Sequence, residues 1–484
     1  MKLNNPELLR SQCLINGEWC DALSGKREAV INPATGAELA SIPLVSEEET
    51  QQAIAAAQRA QNEWKQLTAK QRSALLLAWA DKVLAAQEDL AQLMTAEQGK
   101  SLAEARGEVA YAVSFITWFA EEAKRVDGAV LQAPQASQRL VVVKQPIGVC
   151  AAITPWNFPA AMITRKVAPA LAAGCAIIVK PAEQTPLTAL ALAKLAQEAG
   201  IPAGVLQVVT GEAAQVGKVL CDSPVVRKLS FTGSTEVGRI LMAQCAPSIK
   251  KLSLELGGNA PVIVFDDANL DAAVAGIMAS KFRNSGQTCV CANRIYVQDG
   301  IYERLAEKLV AAVEQLNVGD GSQEGTTQGP LIDSDAVAKV QSHIDDALIK
   351  GAQIATGGQP HALGGTFFQP TVVTGVTQKM RFAKEETFGP VAPLFRFHDE
   401  AEAIAMANDT EFGLAAYLFT QNAARQWRVP EALEYGMVGI NTGLISNEVA
   451  PFGGVKQSGL GREGSRYGIE EYLELKYLCI DVSC

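Results

Sequence analysis

The chain has 484 residues, too many for one compact core, so two or three domains are expected. Its 48% hydrophobic and 19% charged residues indicate a globular protein, and a net charge of −10 argues against a nucleic-acid-binding surface. The sequence lacks a signal-peptide pattern and an apolar run of roughly 18 to 20 residues, and its cysteines are scattered, so a cytoplasmic protein with no membrane partner is predicted.

Helix signals dominate the first quarter of the chain. A Ser-x-x-Glu capping box at 46–49 predicts a helix through about residue 67, and a Thr-x-x-Gln box at 68–71 predicts another through about residue 87. Helical patterning then continues from about residue 90 to residue 122. The β-branched run at 139–143 predicts a strand.

From residue 148 onward, short strand patterns alternate with longer helical ones, which is typical of a doubly wound parallel sheet. The predicted strands are 149–153, 176–180, 206–210, 226–231 and 251–256, with helices at 160–173, 188–199 and 235–244. The alternation restarts after residue 257, with strands at 262–265 and 295–297 and helices at 269–284 and 300–316. The restart predicts a second α/β domain.

The segment at 472–482 is strand-like and apolar. Such a segment near a chain end is usually tied into a sheet, either in its own subunit or in a neighbouring one. Together with the strand at 139–145 it predicts a small β element that serves assembly.

Cys289 follows an unusually polar and flexible stretch, Asn284–Thr288, which favours a reactive thiolate over a buried spacer cysteine. Glu255 lies between an apolar strand pattern and the turn Gly257-Gly258, where a carboxylate base can be held still. A thiol nucleophile with a carboxylate base suits chemistry in which a thioester is formed and then hydrolysed.

Three histidines occur in the whole chain, and each lies apart from the other motifs in sequence. Zinc hydrolases and Ser-His or Cys-His catalysts each need at least one placed imidazole. The sequence therefore argues against these classes, and no metal site is predicted.

Two strand ends carry patterns that suit a nucleotide. Phe231–Gly238 follows a strand and opens a helix, where backbone N–H groups and the helix dipole can receive a phosphate. Lys180 and Glu183 follow another strand, and a carboxylate there would bind ribose hydroxyls but repel a 2′-phosphate. A plain glycine turn and a solvated strand end remain alternatives, and a dinucleotide at this position would be NAD rather than NADP.

Two further segments have two interpretations each. In Pro155–Pro159 the prolines bracket Asn157, which can aim an amide N–H at an oxyanion or simply form a packed turn. Lys384–Pro390 is either a surface turn or a carboxylate-aromatic clamp built from Glu386 and Phe388.

Taken together, these motifs resemble the aldehyde dehydrogenase superfamily across essentially the whole chain. The segments that carry the resemblance are Pro155–Pro159, Phe231–Gly238, Leu254–Gly258, Gly286–Cys289, Glu386–Pro390 and Pro451–Gly454. The resemblance implies that Cys289 attacks the aldehyde carbon, that the Asn157 amide and the Cys289 N–H hold the oxyanion, and that Glu255 activates the hydrolytic water.

The same resemblance implies a nicotinamide cofactor, with NAD favoured by Glu183 and NADP as the alternative. Lys180 and Glu183 would meet the adenosine ribose, Ser234 the pyrophosphate and Glu386 the nicotinamide ribose. The full predicted cofactor set is Ile153, Thr154, Trp156, Lys180, Glu183, Gly211, Gly233, Ser234, Leu256, Glu386 and Phe388.

The predicted architecture is α/β, with two doubly wound parallel-sheet domains and a small β oligomerisation element. A Rossmann-like NAD(P)-binding domain comprises residues 1–130 and 146–256, and a catalytic domain comprises residues 257–450. The oligomerisation element comprises residues 131–145 and 451–484. The family resemblance implies a homodimer or a homotetramer.

Arg165 and Arg283 flank the predicted catalytic groups and, with Ser446, match the succinate-semialdehyde dehydrogenase pattern. Two guanidinium groups in one pocket would bind an anion through paired hydrogen bonds. Succinate semialdehyde is therefore the first predicted substrate. Many bacterial members that resemble this chain carry a small residue in place of Glu183 and favour NADP, so glutarate semialdehyde and sulfolactaldehyde with NAD are alternatives.

Three further hypotheses stay open. Cys291 lies two residues from Cys289 and is either a spacer or the partner of a reversible disulfide. A coenzyme-A-acylating relative has no need of a water-activating base at Glu255, and dependence on coenzyme A would identify one. A non-catalytic binding or structural protein on this fold would bind NAD without forming NADH.

Overall fold

The computed structural model describes residues 1–483. Its α-helices, in chain order, are α1 (Glu47–Trp64), α2 (Ala69–Ala85), α3 (Gln87–Gln98), α4 (Leu102–Glu122), α5 (Ala161–Ala173), α6 (Leu187–Glu198), α7 (Ala213–Asp222), α8 (Thr235–Cys245), α9 (Leu270–Lys281), α10 (Tyr302–Val313), α11 (Ser334–Ile349), α12 (Glu400–Asn408), α13 (Arg425–Ala432) and α14 (Ser465–Glu470).

The strands are short, and most of those in the sheet centres are fully buried. In chain order they are β1 (Cys13–Ile15), β2 (Glu18–Cys20), β3 (Arg27–Ile31), β4 (Glu38–Pro43), β5 (Ala129–Leu131), β6 (Gln138–Pro146), β7 (Val149–Ile153), β8 (Ala176–Lys180), β9 (Leu206–Val208), β10 (Val226–Thr232), β11 (Lys251–Glu255), β12 (Ala260–Val264), β13 (Ala292–Gln298), β14 (Gln353–Thr356), β15 (Thr371–Val376), β16 (Val391–Phe397), β17 (Ala415–Phe419), β18 (Met437–Ile440), β19 (Gly459–Leu460) and β20 (Leu473–Asp481).

The first large sheet has the strand order β19-β11-β10-β7-β8-β9-β1-β2. Its five central strands are parallel, and antiparallel strands cover both edges. The central strands β7 and β8 are buried along their whole length. This is the pattern of a sheet with helices on both faces, where near-continuous apolar runs replace alternation.

The second large sheet has the order β14-β15-β16-β13-β12-β17-β18 and is parallel except at β14. Two clusters of buried apolar side chains cover its faces. The prediction of an α/β architecture with two parallel sheets therefore agrees with the strand pairing.

A third sheet, β20-β6-β5, is antiparallel and stands apart from the two large ones. Strand β20 pairs with β6 over nine residues, from Leu473 opposite Pro146 to Asp481 opposite Gln138. The predicted strands at 139–143 and 472–482 are thus partners within one chain. The last residue of the predicted oligomerisation element, Cys484, lies outside the described residues.

The chain returns to the first sheet near its end. Gly459 and Leu460 form β19, which pairs with Glu255 and Leu254 at the edge strand β11. The predicted division assigned this segment to the oligomerisation element and did not anticipate the return strand. The domain boundaries themselves stay a prediction.

Helix starts follow the predicted capping chemistry. The boxes that open α1 and α2 are both formed. The predicted continuous helical region at 90–122 is wrong in one respect, because Gly99 adopts a left-handed φ of 97° and ends α3. Ser101 and Glu104 then form a third capping box that opens α4. In residues 1–483, no helix has the length and apolar character required to cross a bilayer.

Candidate active site

A cleft of about 290 Å³ opens where strands of the first large sheet end and strands of the second begin. Nine of the predicted site residues line it, namely Trp156, Asn157, Gly233, Ser234, Glu255, Leu256, Cys289, Glu386 and Phe388. Met162, Lys339 and Thr387 also line the cleft and were not predicted. Folding therefore brings the predicted thiol, carboxylate base and amide donor into one cavity.

Cys289 follows a turn in which three consecutive residues are left-handed: Asn284 (φ 50°), Ser285 (φ 54°) and Gly286 (φ 75°). This backbone is costly for residues with a side chain, so surrounding contacts must hold it. Burial raises the pKa of the Cys289 thiol to about 12, Glu386 adds to the rise, and Arg165 opposes it. At neutral pH the resting residue is a thiol.

Asn157 is nearly fully buried, with 6% of its surface exposed. Its Nδ2 atom donates a hydrogen bond to the Gln287 carbonyl over 3.0 Å, which ties the amide to the nucleophile's loop. An amide nitrogen carries two hydrogens, so one remains to receive a developing oxyanion. This geometry agrees with the predicted role of Asn157, which stays a prediction.

Glu255 ends β11 and is buried, with 2% of its surface exposed. Neither carboxylate oxygen has a hydrogen-bond partner among the described residues. Burial raises the pKa of Glu255 well above its ordinary value, Glu463 raises it further, and Arg165 and Lys166 oppose the rise. The resting group is thus biased toward the neutral acid and must ionise before it can act as a base.

Glu463 is a site neighbour that the sequence did not suggest. Its carboxylate pairs with Lys166 and lies 2.6 Å from Nε of Arg165, in an ion pair without hydrogen-bond alignment. Although burial opposes the change, Lys166 and Arg165 lower the pKa of Glu463. Lys166 also donates to Oγ1 of Thr232 over 2.7 Å. Sequence gave no signal for this cluster, because 297 residues separate Lys166 from Glu463.

The predicted phosphate turn is shaped by glycine. A Cβ on Gly233 would lie 2.4 Å from the Phe231 ring, and a Cβ on Gly238 would lie 2.5 Å from Leu256. Ser234 is the N-cap of α8, and its Oγ accepts from the Val237 N–H over 3.3 Å. The helix N-terminus therefore faces the cleft, which suits the pyrophosphate of a dinucleotide.

Glu386 and Phe388 lie on the opposite wall. Glu386 accepts from the Gly258 N–H over 3.2 Å, and burial raises the pKa of its carboxyl to about 7 although Lys339 opposes the rise. The Phe388 ring stacks edge-on against Trp156 with a centroid separation of 5.6 Å. A carboxylate beside an aromatic pair fits the ribose and ring of a nicotinamide nucleotide.

Folding also places one histidine against this wall, although its sequence position suggested no link to any motif. His343 Nδ1 lies 3.3 Å from Oγ1 of Thr387, and Nε2 lies 3.1 Å from Glu385. Burial lowers the pKa of His343 to about 4, against the effect of Glu385. The imidazole is therefore neutral at physiological pH and supports the Glu385–Phe388 segment.

The predicted adenosine-ribose residues meet at the end of β8. Lys180 pairs with Glu183, and the Thr154 N–H donates to the Lys180 carbonyl over 3.1 Å. Ile153 is opposite Lys180 in the sheet. Gly211 lies nearby, where a Cβ would come within 3.1 Å of the Val45 carbonyl.

Two more carboxylates approach this edge, those of Glu28 on β3 and Glu212 at the start of α7. Burial raises the pKa of Glu28, and Glu183 and Glu212 raise it further. Glu28 therefore lies within electrostatic reach of Glu183, Glu212 and Lys180. The sequence analysis missed Glu28 and Glu212.

The three predicted substrate residues divide into two places. Arg283 and Ser446 line a second pocket of about 420 Å³, which also borders Phe158 and Asn284. The Arg283 guanidinium lies 4.7 Å from the Phe158 ring centroid.

Arg165 is instead buried, with 1% of its surface exposed. Its guanidinium lies 4.1 Å from the Phe452 ring centroid and 5.2 Å from that of Phe115. Within residues 1–483, its Nη2 has no hydrogen-bond partner. The substrate roles of Arg165, Arg283 and Ser446 stay predictions.

Cys291 is fully buried, and its Sγ donates to the Lys281 carbonyl over 3.3 Å. The disulfide hypothesis for Cys289 and Cys291 is untested by this arrangement. Among the described residues, no cluster of three or more histidine, cysteine and acidic side chains is arranged to hold a metal ion.

A known protein family matches almost the whole chain. A family model described as "Aldehyde dehydrogenase family" matches residues 19–478. The chain belongs to the aldehyde dehydrogenase family. The resemblance inferred from the cysteine, glutamate and asparagine motifs is thereby confirmed.

Three relatives within the aldehyde dehydrogenase family match the chain almost end to end. It is 65% identical to the NADP(+) succinate-semialdehyde dehydrogenase of Escherichia coli (strain K12), over 99% of this chain and 100% of that protein. It is 64% identical to a glutarate-semialdehyde dehydrogenase of Pseudomonas putida (strain KT2440), over 100% of both chains. It is also 64% identical to a 3-sulfolactaldehyde dehydrogenase of Pseudomonas putida, over 99% of each.

The crystal structure of succinate-semialdehyde dehydrogenase from Burkholderia pseudomallei superposes with a TM-score of 0.99 at 63% identity, over 100% of both chains. The predicted aldehyde dehydrogenase fold, with its α/β parallel-sheet domains, is confirmed by this likeness.

Proposed function

We propose that the chain oxidises a short aldehyde with an ω-anionic group to the acid, using NAD(P) and a cysteine thioester, with succinate semialdehyde as the first substrate. The observation that carries the proposal is one cleft lined by Cys289, Asn157 and Glu255 together with a helix N-terminus. The names of three relatives at 64 to 65% identity, all acting on anionic aldehydes, support the substrate class.

In the first step, the Cys289 thiol releases its proton to solvent, and its Sγ bonds to the aldehyde carbon as the C=O π electrons move onto the oxygen. The carbonyl oxygen becomes negative and meets the free Asn157 amide hydrogen and the Cys289 backbone N–H. A nicotinamide dinucleotide held by Glu386 and the α8 N-terminus would supply the oxidant, as the acceptor of the hydride that leaves this carbon. Arg165 assists the attack because its positive charge favours the thiolate.

In the second step, Glu255 takes a proton from water, the water oxygen bonds to the thioester carbon, and the carbon–sulfur bond breaks. The products are a carboxylic acid and the free Cys289 thiolate, which regains a proton. A water-activating carboxylate in the cleft opposes the coenzyme-A-acylating alternative, since acyl transfer to a thiol has no need of it.

The anionic end of the substrate is assigned to Arg283 and Ser446 in the second pocket and to the free Nη2 of Arg165. Guanidinium groups bind carboxylate and sulfonate oxygens alike. Glutarate semialdehyde and sulfolactaldehyde are therefore the second candidates, and the two Pseudomonas putida relatives favour them specifically.

NAD is the proposed cofactor, with NADP as the alternative that the Escherichia coli relative's name supports. Glu183 pairs with Lys180 where the adenosine ribose would lie, and Glu28 and Glu212 add negative charge beside Glu183. Their charges would repel a 2′-phosphate, whereas ribose hydroxyls would donate hydrogen bonds to a carboxylate.

The deciding experiment measures NADH or NADPH formation with each of the three aldehydes and each cofactor, with and without coenzyme A. We expect the highest kcat/KM with succinate semialdehyde and NAD, no coenzyme A dependence, and no turnover by Cys289→Ala. Undiminished turnover by Cys289→Ala would refute the mechanism. Tight NAD binding without NADH formation from any aldehyde would revive the non-catalytic alternative.

We also propose that the chain assembles as a homodimer or homotetramer. The third sheet exposes apolar side chains along β5 and β20, including Val130 (79% exposed), Leu475 (70%), Tyr477 (57%) and Ile480 (47%). A surface of this kind in a globular protein marks an interaction site.

A further inference from the structure

The first two turns of α4 contact both catalytic loops at once. Lys100 and Glu108 form an ion pair of 2.5 Å, and the side chain of each is 1% exposed. Neither side chain lines the cleft that contains Cys289 and Glu255, so neither takes a direct part in the chemistry proposed above. A fully buried ion pair costs desolvation energy, so its presence calls for a specific role.

Both members of the pair bind the backbone of the Asn157 segment. Lys100 Nζ donates to the Asn157 carbonyl over 2.8 Å and lies 4.0 Å from the Phe158 ring centroid. Glu108 Oε1 accepts from the N–H groups of Ala160 (2.9 Å) and Ala161 (3.2 Å). The segment is thereby fixed at the Asn157 carbonyl and again at the Ala160 and Ala161 N–H groups.

The same helix start also fixes the nucleophile's loop. Glu104 Oε1 accepts from the Asn284 N–H over 2.7 Å, at the first of the three left-handed residues. The Asn284 side chain donates to the Asn157 carbonyl over 3.0 Å, so Lys100 and Asn284 share one acceptor. The loops that carry the amide donor and the thiol are thus joined through one carbonyl oxygen.

We infer that Lys100 and Glu108 are positioning residues that set the Asn157 amide relative to Cys289 for the oxyanion step. The inference rests on the proposed function, in which Asn157 is the oxyanion donor. Fixed donors are effective because they need no reorganisation when charge develops, and loss of one donor typically costs about 10²- to 10³-fold in kcat.

The test is a double-mutant cycle between Lys100→Met and Asn157→Ala. The measured quantity is the single-turnover rate of NADH formation at saturating NAD and succinate semialdehyde. In the wild-type background we expect Lys100→Met to slow this rate by about tenfold or more, with the aldehyde KM changed by less than about twofold. In the Asn157→Ala background, where no amide remains to be positioned, Lys100→Met should have less than about a twofold effect.

Lys228→Met is the matched control. Lys228 is equally buried and donates to Ser253, but it contacts neither catalytic loop. It should lower thermal stability and leave the single-turnover rate within about twofold of wild type. If Lys100→Met does not fold, the double variant Lys100→Met/Glu108→Gln removes both charges and enters the same cycle.

Equal slowing by Lys100→Met in both backgrounds, or no slowing in either, would overturn the positioning role. An Asn157→Ala variant with an undiminished rate would instead refute the proposed oxyanion donor. The two failures are therefore distinguished by the Asn157→Ala single variant.

Discussion

At the scale of single residues, two buried carboxyl groups near the same cations have pKa values shifted in opposite directions. Glu463 pairs with Lys166 and Arg165, and its pKa falls although burial opposes this. Glu255 has no hydrogen-bond partner among the described residues, and burial and the Glu463 charge raise its pKa. Glu255 is therefore ionised, and able to accept a proton as a base, only at a pH above the range in which carboxyl groups usually ionise.

The first prediction concerns the pH dependence of thioester hydrolysis. Because the pKa of Glu255 is raised, the active carboxylate form accumulates as pH rises, and activity is lost as pH falls through that pKa. Glu463→Gln removes the nearby negative charge, so this acidic limb should move to lower pH. The measurement is kcat against pH for wild type and Glu463→Gln.

Glu255→Gln is the companion variant, because it removes the base and keeps the shape. It should still form one equivalent of NADH and then accumulate a thioester on Cys289, detected by intact-protein mass spectrometry. Steady turnover with no trapped acyl-enzyme would contradict the assignment of Glu255.

The second prediction concerns the cofactor. Glu183→Ser removes the carboxylate that pairs with Lys180, so we expect the kcat/KM ratio of NADP to NAD to rise by about tenfold or more. Glu212→Gln should produce a smaller change in the same direction, because the ribose-binding carboxylate is retained. A wild-type preference for NADP would refute the charge argument before any variant is made.

The three candidate catalytic residues could be selected from the sequence because each lies in a local motif. Cys289 follows a polar run, Asn157 is bracketed by prolines, and Glu255 precedes a glycine turn. The supporting residues could not be predicted in this way. Lys166 meets Glu463 across 297 residues, and Lys100 meets Asn157 across 57, so only tertiary packing creates these pairs.

At the scale of elements, the left-handed turn Asn284–Gly286 is the most constrained segment beside the site. Gly286 has a φ of +75°, and a Cβ there would lie 2.1 Å from the Gly389 carbonyl. The Ser285 hydroxyl donates a hydrogen bond to the Gly329 carbonyl over 2.9 Å, and this bond also holds the turn in place. The turn thus links the nucleophile's loop to the Glu386 wall.

The third prediction compares two glycines. Gly364 has nearly the same φ, +74°, with no atom within 4 Å of an added Cβ. Gly364→Ala should cost about 1 to 2 kcal/mol from the left-handed backbone alone. Gly286→Ala should cost a further 1 to 3 kcal/mol, roughly, from steric overlap, and should reduce activity. Denaturant unfolding and NADH formation measure the two effects, and equal losses for both variants would contradict the proposed overlap.

Elements with strong periodicity were predictable to within a few residues. The predicted strand at 176–180 coincides with β8, since a buried parallel strand reads as an unbroken apolar run. The two-residue strand β19 was missed because it is too short to show a periodic pattern. The break at Gly99 was missed because apolar patterning continues on both sides of it.

At the scale of the whole molecule, the third sheet exposes most of its outer strand. Eight of the nine residues of β20 are exposed, and several are large and apolar. An exposed edge of this kind invites pairing with another chain. The proposed assembly of several copies of the chain would cover this surface.

The fourth prediction tests that assembly. The double variant Leu475→Glu/Tyr477→Glu should convert the oligomer into monomers, because charge on the apolar strand opposes burial. Ile349→Glu is the control, since Ile349 is 86% exposed but lies on α11. Light scattering coupled to size-exclusion chromatography measures the mass of each. A monomeric wild type, or an unchanged mass in the double variant, would contradict the proposed interface.

The return strand β19 makes the edge of β11 depend on a segment that is synthesised much later than β11 itself. Strand β11, which ends in Glu255, gains its edge neighbour only when Gly459 and Leu460 have left the ribosome. A nascent chain that already contains the thiol and the nucleotide turn still lacks this neighbour. A fragment that stops before Gly459 would therefore leave the outer edge of β11 unpaired and open to pairing with another chain.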